Sequence, residues 1–295
     1  MRSVALRLGL ALLVLAAAGL WLTRPQRIQQ AALLAHEPDP VNGERLFLAG
    51  GCASCHGDRL EGGLELVTAF GTFRVPNISP EPGAGIGGWD DLDFINAMKL
   101  GVSPNGRHYY PAFPYTSYAR MELADLLDLK AWLDGYEPVG TAVPAHEIGF
   151  PWNLRRGIGL WKRLYLSTAP VLGVPDGDER LQRGRYLVEA VGHCAECHTP
   201  RNRLGGLRMQ QWLAGGPQPD GEGRVPNITP HRDGLADWSE RDIVRYLKSG
   251  FTPDYDTVGG SMAAVQENLA RLPDRDHDAI ANYLLAVTPL PDPPD

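Results

Sequence analysis

Two five-residue motifs, Cys52-Ala-Ser-Cys55-His56 and Cys194-Ala-Glu-Cys197-His198, use every cysteine in this chain. Cys-x-x-Cys-His is the signature of covalent c-type haem attachment. The two thiols add across the vinyl groups, and the adjacent imidazole turns onto the iron. A lone Cys-x-x-Cys would also suit a redox dithiol or half of a zinc site. Two copies, each followed at once by histidine and with no cysteine left over, do not. Pairs about 140 residues apart, each with its own histidine, also make a poor four-cysteine zinc site. The chain must therefore fold around two large flat groups, and a modest apolar core suffices because each haem fills much of it.

The motifs belong to a longer internal repeat. Around the first the chain reads GERLFLAGGCASCH, then VPNISP, GGWDDLDFINAMKLGVSP and MELADLLDLKAWL. Around the second it reads GRYLVEAVGHCAECH, VPNITP, DWSERDIVRYLKSGFTP and LPDRDHDAIANYL, in the same order. Helices are expected before each motif, starting at Gly43 and Gly184, and at the end of each copy, where Leu126, Leu129, Trp132 and Leu133, or Ile280, Tyr283 and Leu284, share a face. The two glycines would let these helices cross closely. The loops at Pro76 and Pro226 are expected to present a carbonyl to the Nδ1–H of His56 and His198, which fixes the ring. Arg74 and Arg224 are candidates for haem propionates. Trp89 and Trp238 open the next helices and are candidates for the haem pocket, with core packing the stronger expectation.

A six-coordinate haem needs a second axial ligand, usually Met or His. In the second copy Met262 is expected to serve, 64 residues after His198 and beside Gly259 and Gly260. Met209 reads as apolar filling. In the first copy, matching Gly101 to Gly250 puts Phe113 where Met262 stands. Phenylalanine cannot ligate iron. Met121 is the preferred substitute, His108 the alternative, and an open iron the third reading; Met98 reads as core.

The N-terminus has Arg2 and Arg7 before an apolar run to Leu22. A membrane anchor is favoured over a cleaved leader, because the run ends in bulky Leu20-Trp21-Leu22 rather than a small-x-small site. Without the four arginines of the first 35 residues, the net charge of −7 becomes about −11 on the remainder, which argues against nucleic acid. Residues 139–179 form a connector with Trp152, Leu160, Trp161 and Leu164 interleaved with Arg155, Arg156, Lys162 and Arg163. It reads as a helix packed between the copies, or as an amphipathic piece on a membrane or partner.

The stretches CASCH, FGTFRVPNISP, GIGGW, HYYPAFPYTSYARM, GHCAECHTPRN and VPNITP resemble the cytochrome c subunits of membrane-bound periplasmic dehydrogenases, over residues 37–288. Quinoprotein alcohol dehydrogenase is the best-known such complex. The resemblance implies an all-α fold: two tandem class I cytochrome c domains (36–138 and 180–290) behind a hydrophobic signal or anchor segment (1–35). It implies two covalently bound haem c, a location on the periplasmic side of the bacterial inner membrane, and electron transfer from a dehydrogenase to quinone, an oxidase or another cytochrome. The alcohol dehydrogenase subunits are similar to a three-haem array and this chain has two motifs, so the donor stays open and includes a molybdenum enzyme. The competing expectation is a dihaem oxidase or peroxidase acting at an open first iron.

Overall fold

The computed structural model describes residues 2–32, 35–218 and 223–294. An apolar helix α1 (Arg2–Leu22) stands out from the body. At 1.5 Å per residue its 21 residues extend about 31 Å, enough for a bilayer core. The first half then runs α2 (Pro40–Ala49), α3 (Cys52–His56), strands β1 (Glu65–Thr68) and β2 (Gly71–Arg74), α4 (Asp91–Leu100), α5 (Tyr115–Tyr118) and α6 (Leu123–Leu133). The connector holds strand β3 (Glu147–Ile148) and helix α7 (Gly157–Tyr165). The second half runs α8 (Glu179–Tyr186), a π-helical turn (Leu187–Val191), α9 (Ala195–His198), strands β4 (Gly216–Pro217) and β5 (Arg224–Val225), α10 (Glu240–Ser249), α11 (Met262–Leu269) and α12 (Asp274–Ala286).

In each half the helix before the motif lies across the last helix, α2 on α6 and α8 on α12. Glycine makes the crossing possible. A Cβ on Gly43 would stand 2.1 Å from the Asp128 carbonyl oxygen, and one on Gly184 would stand 2.0 Å from that of Ala279. This is the close approach expected of both glycines. Asp39 caps α2 through the Val41 N–H at 2.9 Å, and its own N–H donates to buried Asp128 at 2.8 Å, which ties the start of α2 to α6.

The two halves differ by one residue between that glycine and the first cysteine: nine steps from Gly43 to Cys52, ten from Gly184 to Cys194. The π-helical turn takes up the extra residue. An insertion in a packed helix is commonly absorbed this way, since one i→i+5 turn leaves the helix on either side in phase.

The all-α expectation is revised to mostly helical, because strands appear beside both motifs. Leu66, Thr72 and Phe73 belong to an antiparallel pair that registers Glu65 with Arg74 and Thr68 with Gly71, a two-residue hairpin around Ala69-Phe70. The connector adds β3 to its edge. Gly71 permits this, because a Cβ there would lie 2.2 Å from the Glu147 carbonyl oxygen. The short β4–β5 ladder is the corresponding feature of the second half.

The halves share one core. Leu46, Phe47 and Leu126 lie in the same buried cluster as Leu187, Val188 and Tyr283. Across the seam, α5 meets the π-helical turn and α11 meets α2, a reciprocal arrangement of equivalent parts.

Candidate haem-binding sites

Each cysteine motif closes a short helix that ends on its histidine. The His56 Nδ1–H donates to the Pro76 carbonyl at 2.7 Å, and that of His198 donates to the Pro226 carbonyl at 2.8 Å. Burial lowers both imidazoles, His56 to about 4, against the opposing pull of these carbonyls. Both rings are therefore neutral at physiological pH with Nε2 unprotonated, the form that ligates iron.

The loop carbonyl is held in place the same way twice. Gly62 N–H donates to His56 O at 2.8 Å, and Gly215 N–H to His198 O at 2.8 Å. A Cβ on either glycine would strike the proline loop, at 2.5 Å from the Pro76 carbonyl oxygen and 2.7 Å from that of Val225. Asn77 and Asn227 then pin the loop to the chain beyond the last helix, through Val139 O at 2.6 Å and Leu290 O at 2.8 Å. Leu60 and Leu213, both fully buried, each adopt φ of +61° and accept from Ile78 and Ile228 N–H. A bulky residue in that region costs ~1–2 kcal/mol, and it recurs at the same place in both copies. Nothing in the letters marks these leucines; only the backbone shows them.

This twice-built cradle fits a covalent haem: two thiols, a neutral oriented imidazole and a loop closed over it. Arg74 is engaged differently from the propionate expectation. Its guanidinium bonds Glu65 at 2.8 Å, Glu147 at 2.7 Å and the Ala145 carbonyl, so it pins the three-stranded sheet. Arg224 lies 3.8 Å from the Asp292 carboxylate. Trp89 and Trp238 are partly buried against the core.

The distal sides differ. The backbone bond Tyr109 N to Gly101 O at 2.8 Å matches Val258 N to Gly250 O at 2.8 Å. Counting four residues on from each donor pairs Phe113 with Met262, and both are partly buried against the core. The register then shifts by two residues. Tyr115 packs against Gly101 as Gln266 packs against Gly250. From there Met121 N to Tyr118 O repeats Leu272 N to Leu269 O. Met121 thus stands in the place of Leu272, at the entrance of the last helix, and both are core residues, 2% and 5% exposed. His108 holds the place of Thr257, since both close the same β-bridge. Its Nε2–H donates to the Thr23 carbonyl at 2.9 Å, and its Nδ1 accepts from Lys162 at 3.1 Å, so both ring nitrogens face the connector and the end of α1.

The motifs meet at the seam. His193 Nε2 lies 3.0 Å from the Gly50 carbonyl oxygen, and its ring stands edge-on to Tyr118 at 5.6 Å. Gly50 faces the Val191 carbonyl, and Gly192 that of Ala49, so a Cβ on either would sit 3.5 Å from the opposing oxygen. Buried Glu196 accepts from Thr116 and Ser117 of α5 at 2.5 and 3.1 Å, and Asn268 of α11 donates to Ser54 at 3.0 Å.

A family model described as cytochrome c matches residues 40–136 and 181–288. A "Diheme cytochrome c-type" protein of Cereibacter sphaeroides is 51% identical over 95% of this chain and 96% of its own length. The fructose dehydrogenase cytochrome subunit of Gluconobacter japonicus is 34% identical over 90% of this chain, which spans 56% of that protein. The gluconate 2-dehydrogenase cytochrome c subunit of Pantoea cypripedii is 36% identical over 82% of this chain, which spans 58% of that protein. The chain thus spans little more than half the length of these two dehydrogenase relatives.

Proposed function

Because the chain belongs to the cytochrome c family and binds two haem c groups covalently, we propose that it is a membrane-tethered two-haem wire. It takes electrons from a periplasmic dehydrogenase and passes them to a respiratory acceptor, either a quinone, an oxidase or another cytochrome. The dehydrogenase subunits among its relatives support the donor class, and α1 supports the bacterial inner membrane as its location. The haems supply reversible one-electron chemistry at iron. The chain orients them, excludes water and sets their potentials.

The observation that carries this reading is the seam. It brings Gly50, just before the first motif, against Val191, Gly192 and His193, just before the second. Two tandem domains, each with its own motif, closing helix and carbonyl loop, are the organisation this supports. The proximal ligands are His56 and His198, on thioethers at Cys52, Cys55, Cys194 and Cys197. Met262 is the distal ligand of the second haem. The register argues against Met121 and His108 for the first: one fills a leucine's place and the other faces the connector. We read the first haem as lacking a sulfur at the position where the second has one. The unequal ligation separates the two potentials, since methionine raises the potential of the haem it binds.

Low-temperature EPR of the fully oxidised protein tests this. One low-spin ferric haem with His/Met character and one distinct, high-spin or weakly ligated haem are expected. Two equivalent His/Met spectra would overturn the assignment of the first site. Stopped-flow reduction tests the wire: both haems should reduce in sequence under one donor.

A further inference from the structure

The end of α1 is built into the body. Two of its last carbonyls, which an isolated helix leaves unpartnered, are capped by the connector. Arg156 donates to Leu20 O at 2.7 Å and to the Thr23 hydroxyl at 3.1 Å, and Arg163 donates to Leu22 O at 2.7 Å. Cations at a helix C-terminus also oppose the negative end of its dipole. His108 takes the Thr23 carbonyl, and a Cβ on Gly159 would stand 2.5 Å from that same oxygen, so only glycine lets α7 approach so closely. Beyond the helix, Arg27 donates to Ser103 O at 2.7 Å and Ile28 N–H to Asn96 at 2.7 Å. Removing residues up to Leu22 would leave Arg156 and Arg163 without the Leu20 and Leu22 carbonyls they hold.

The connector has two faces. Trp161 and Tyr165 bond Leu204 O and Asn202 of the second half, and Lys162 bonds Gly101 O of the first. The opposite face carries Leu160 and Leu164, 51% and 65% exposed, with Phe150, Trp152 and Leu154 exposed just before the helix. These apolar groups lie beside the arginines that hold α1, so the face is continuous with the point where the apolar helix leaves the body. Trp21, itself exposed, has the Arg163 guanidinium 5.6 Å over its ring.

We propose that α1 is retained in the mature protein and that the connector around α7 lies in the outer leaflet interface beside it, with Leu160 and Leu164 among the upper acyl chains and the arginines at lipid phosphates. This deepens the membrane reading above. Leucine and tryptophan towards acyl chains with arginine at their margin is the chemistry of an interfacial helix. The outcome is a body held in one orientation, its connector side down, rather than one swinging on a tether.

The test uses the full, haem-loaded chain in vesicles of phosphatidylethanolamine and phosphatidylglycerol doped with a lipid bearing a diazirine in the upper acyl chain. Intact mass of the membrane-extracted protein should retain residues 1–22; a mass lacking them overturns the proposal. After illumination, peptides covering 150–164 should be labelled along with α1. Labelling confined to α1 overturns it too, and includes the case in which a protein partner covers this face instead. Leu160→Glu with Leu164→Glu should cut connector labelling about tenfold or more, since each leucine withdrawn from an apolar phase gives up a step of that order. The visible haem spectrum reports separately: its loss signals failure of the haem sites, whereas an intact spectrum with no connector labelling signals failure of the docking alone.

Discussion

The backbone turn just before each cysteine motif is left-handed in both halves, yet glycine makes it in one and histidine in the other. Gly51 has φ of +56° and His193 has +41°. The first half builds the turn at no steric cost. The second accepts a strained side chain, and that side chain reaches across the seam to the Gly50 carbonyl. The same contrast recurs elsewhere. Gly62 and Gly215, Asn77 and Asn227, and Leu60 and Leu213 are shared and shape the haem cradle. Phe113 and Met262, and Gly51 and His193, differ, the first pair on the distal side and the second at the seam. Exchanging residues between equivalent positions is therefore the direct way to probe the molecule.

The largest effects should come where the copies agree. Gly43→Ala and Gly184→Ala each drive a methyl group into a backbone carbonyl that cannot retreat without moving α6 or α12. Each should cost ~3 kcal/mol and impair haem retention, measured by denaturant unfolding and by haem content per chain. A mild effect at one glycine and a severe one at the other would break the equivalence of the two crossings.

Next in size are the distal exchanges. Met262→Phe should convert the second haem from low-spin to high-spin and lower its potential, as read by EPR and redox titration. Phe113→Met should do the reverse in the first site and add a sulfur-to-iron charge-transfer band. Failure of the second exchange, with the first succeeding, would mean that the extra two residues of the second half, and not the side chain alone, bring Met262 to its iron.

His193→Gly removes a strained φ, worth up to ~1 kcal/mol of stabilisation, and deletes a hydrogen bond of similar size across the seam. Net stability should change by less than ~1 kcal/mol, while electron transfer between the haems slows, because the seam loosens where the motifs meet. Flash-photolysis kinetics read the rate. An unchanged rate would assign His193 to packing only.

Acid should weaken the contact between the first half and the connector at His108. Burial, with the charges of Lys162 and Arg156 adding to it, holds His108 below the usual histidine range, against the pull of the Thr23 carbonyl. A base whose folded pKa is depressed takes up its proton more readily when unfolded. Its contribution to stability is intact above ~6.5, the unfolded value, and is lost as pH falls from there through the folded pKa. Protonated Nδ1 would also face the Lys162 ammonium. Thermal unfolding should therefore lose stability below that pH, and His108→Thr, which copies Thr257, should flatten the slope.

Much of this was legible in the letters because covalent chemistry needs fixed spacing. The cysteines, the histidines, the proline carbonyls and the two crossing glycines follow from what a haem and a close helix contact require. The strands were less visible, since Glu65–Arg74 is too short, with Gly71 in its middle, to show a period. Met121 is ambiguous in the letters for a physical reason: a methionine fills a leucine's place in a core as readily as it ligates iron. Leu60, Leu213 and the buried acids Glu189 and Glu196 carry no sequence signal. Glu189 accepts from Val171 and Leu172 N–H and from Tyr283, and these partners come from distant segments that only the fold assembles.

Met121→Leu should have the smallest effect, and that makes it the sharpest test of the register. Leucine is the residue that the second half places there, it has nearly the same volume, and the site is 2% exposed within a packed cluster. A volume-conserving exchange of this kind costs under ~1.5 kcal/mol. If Met121 is core, the variant keeps both haem spectra and both potentials and shifts only the unfolding midpoint slightly. If Met121 reaches the first iron, the same variant loses a sulfur ligand. The first haem then changes spin state and its potential falls, while the second stays as it was. One variant and one spectrum thus decide whether the two halves differ in where their sulfur sits or in whether the first has one at all.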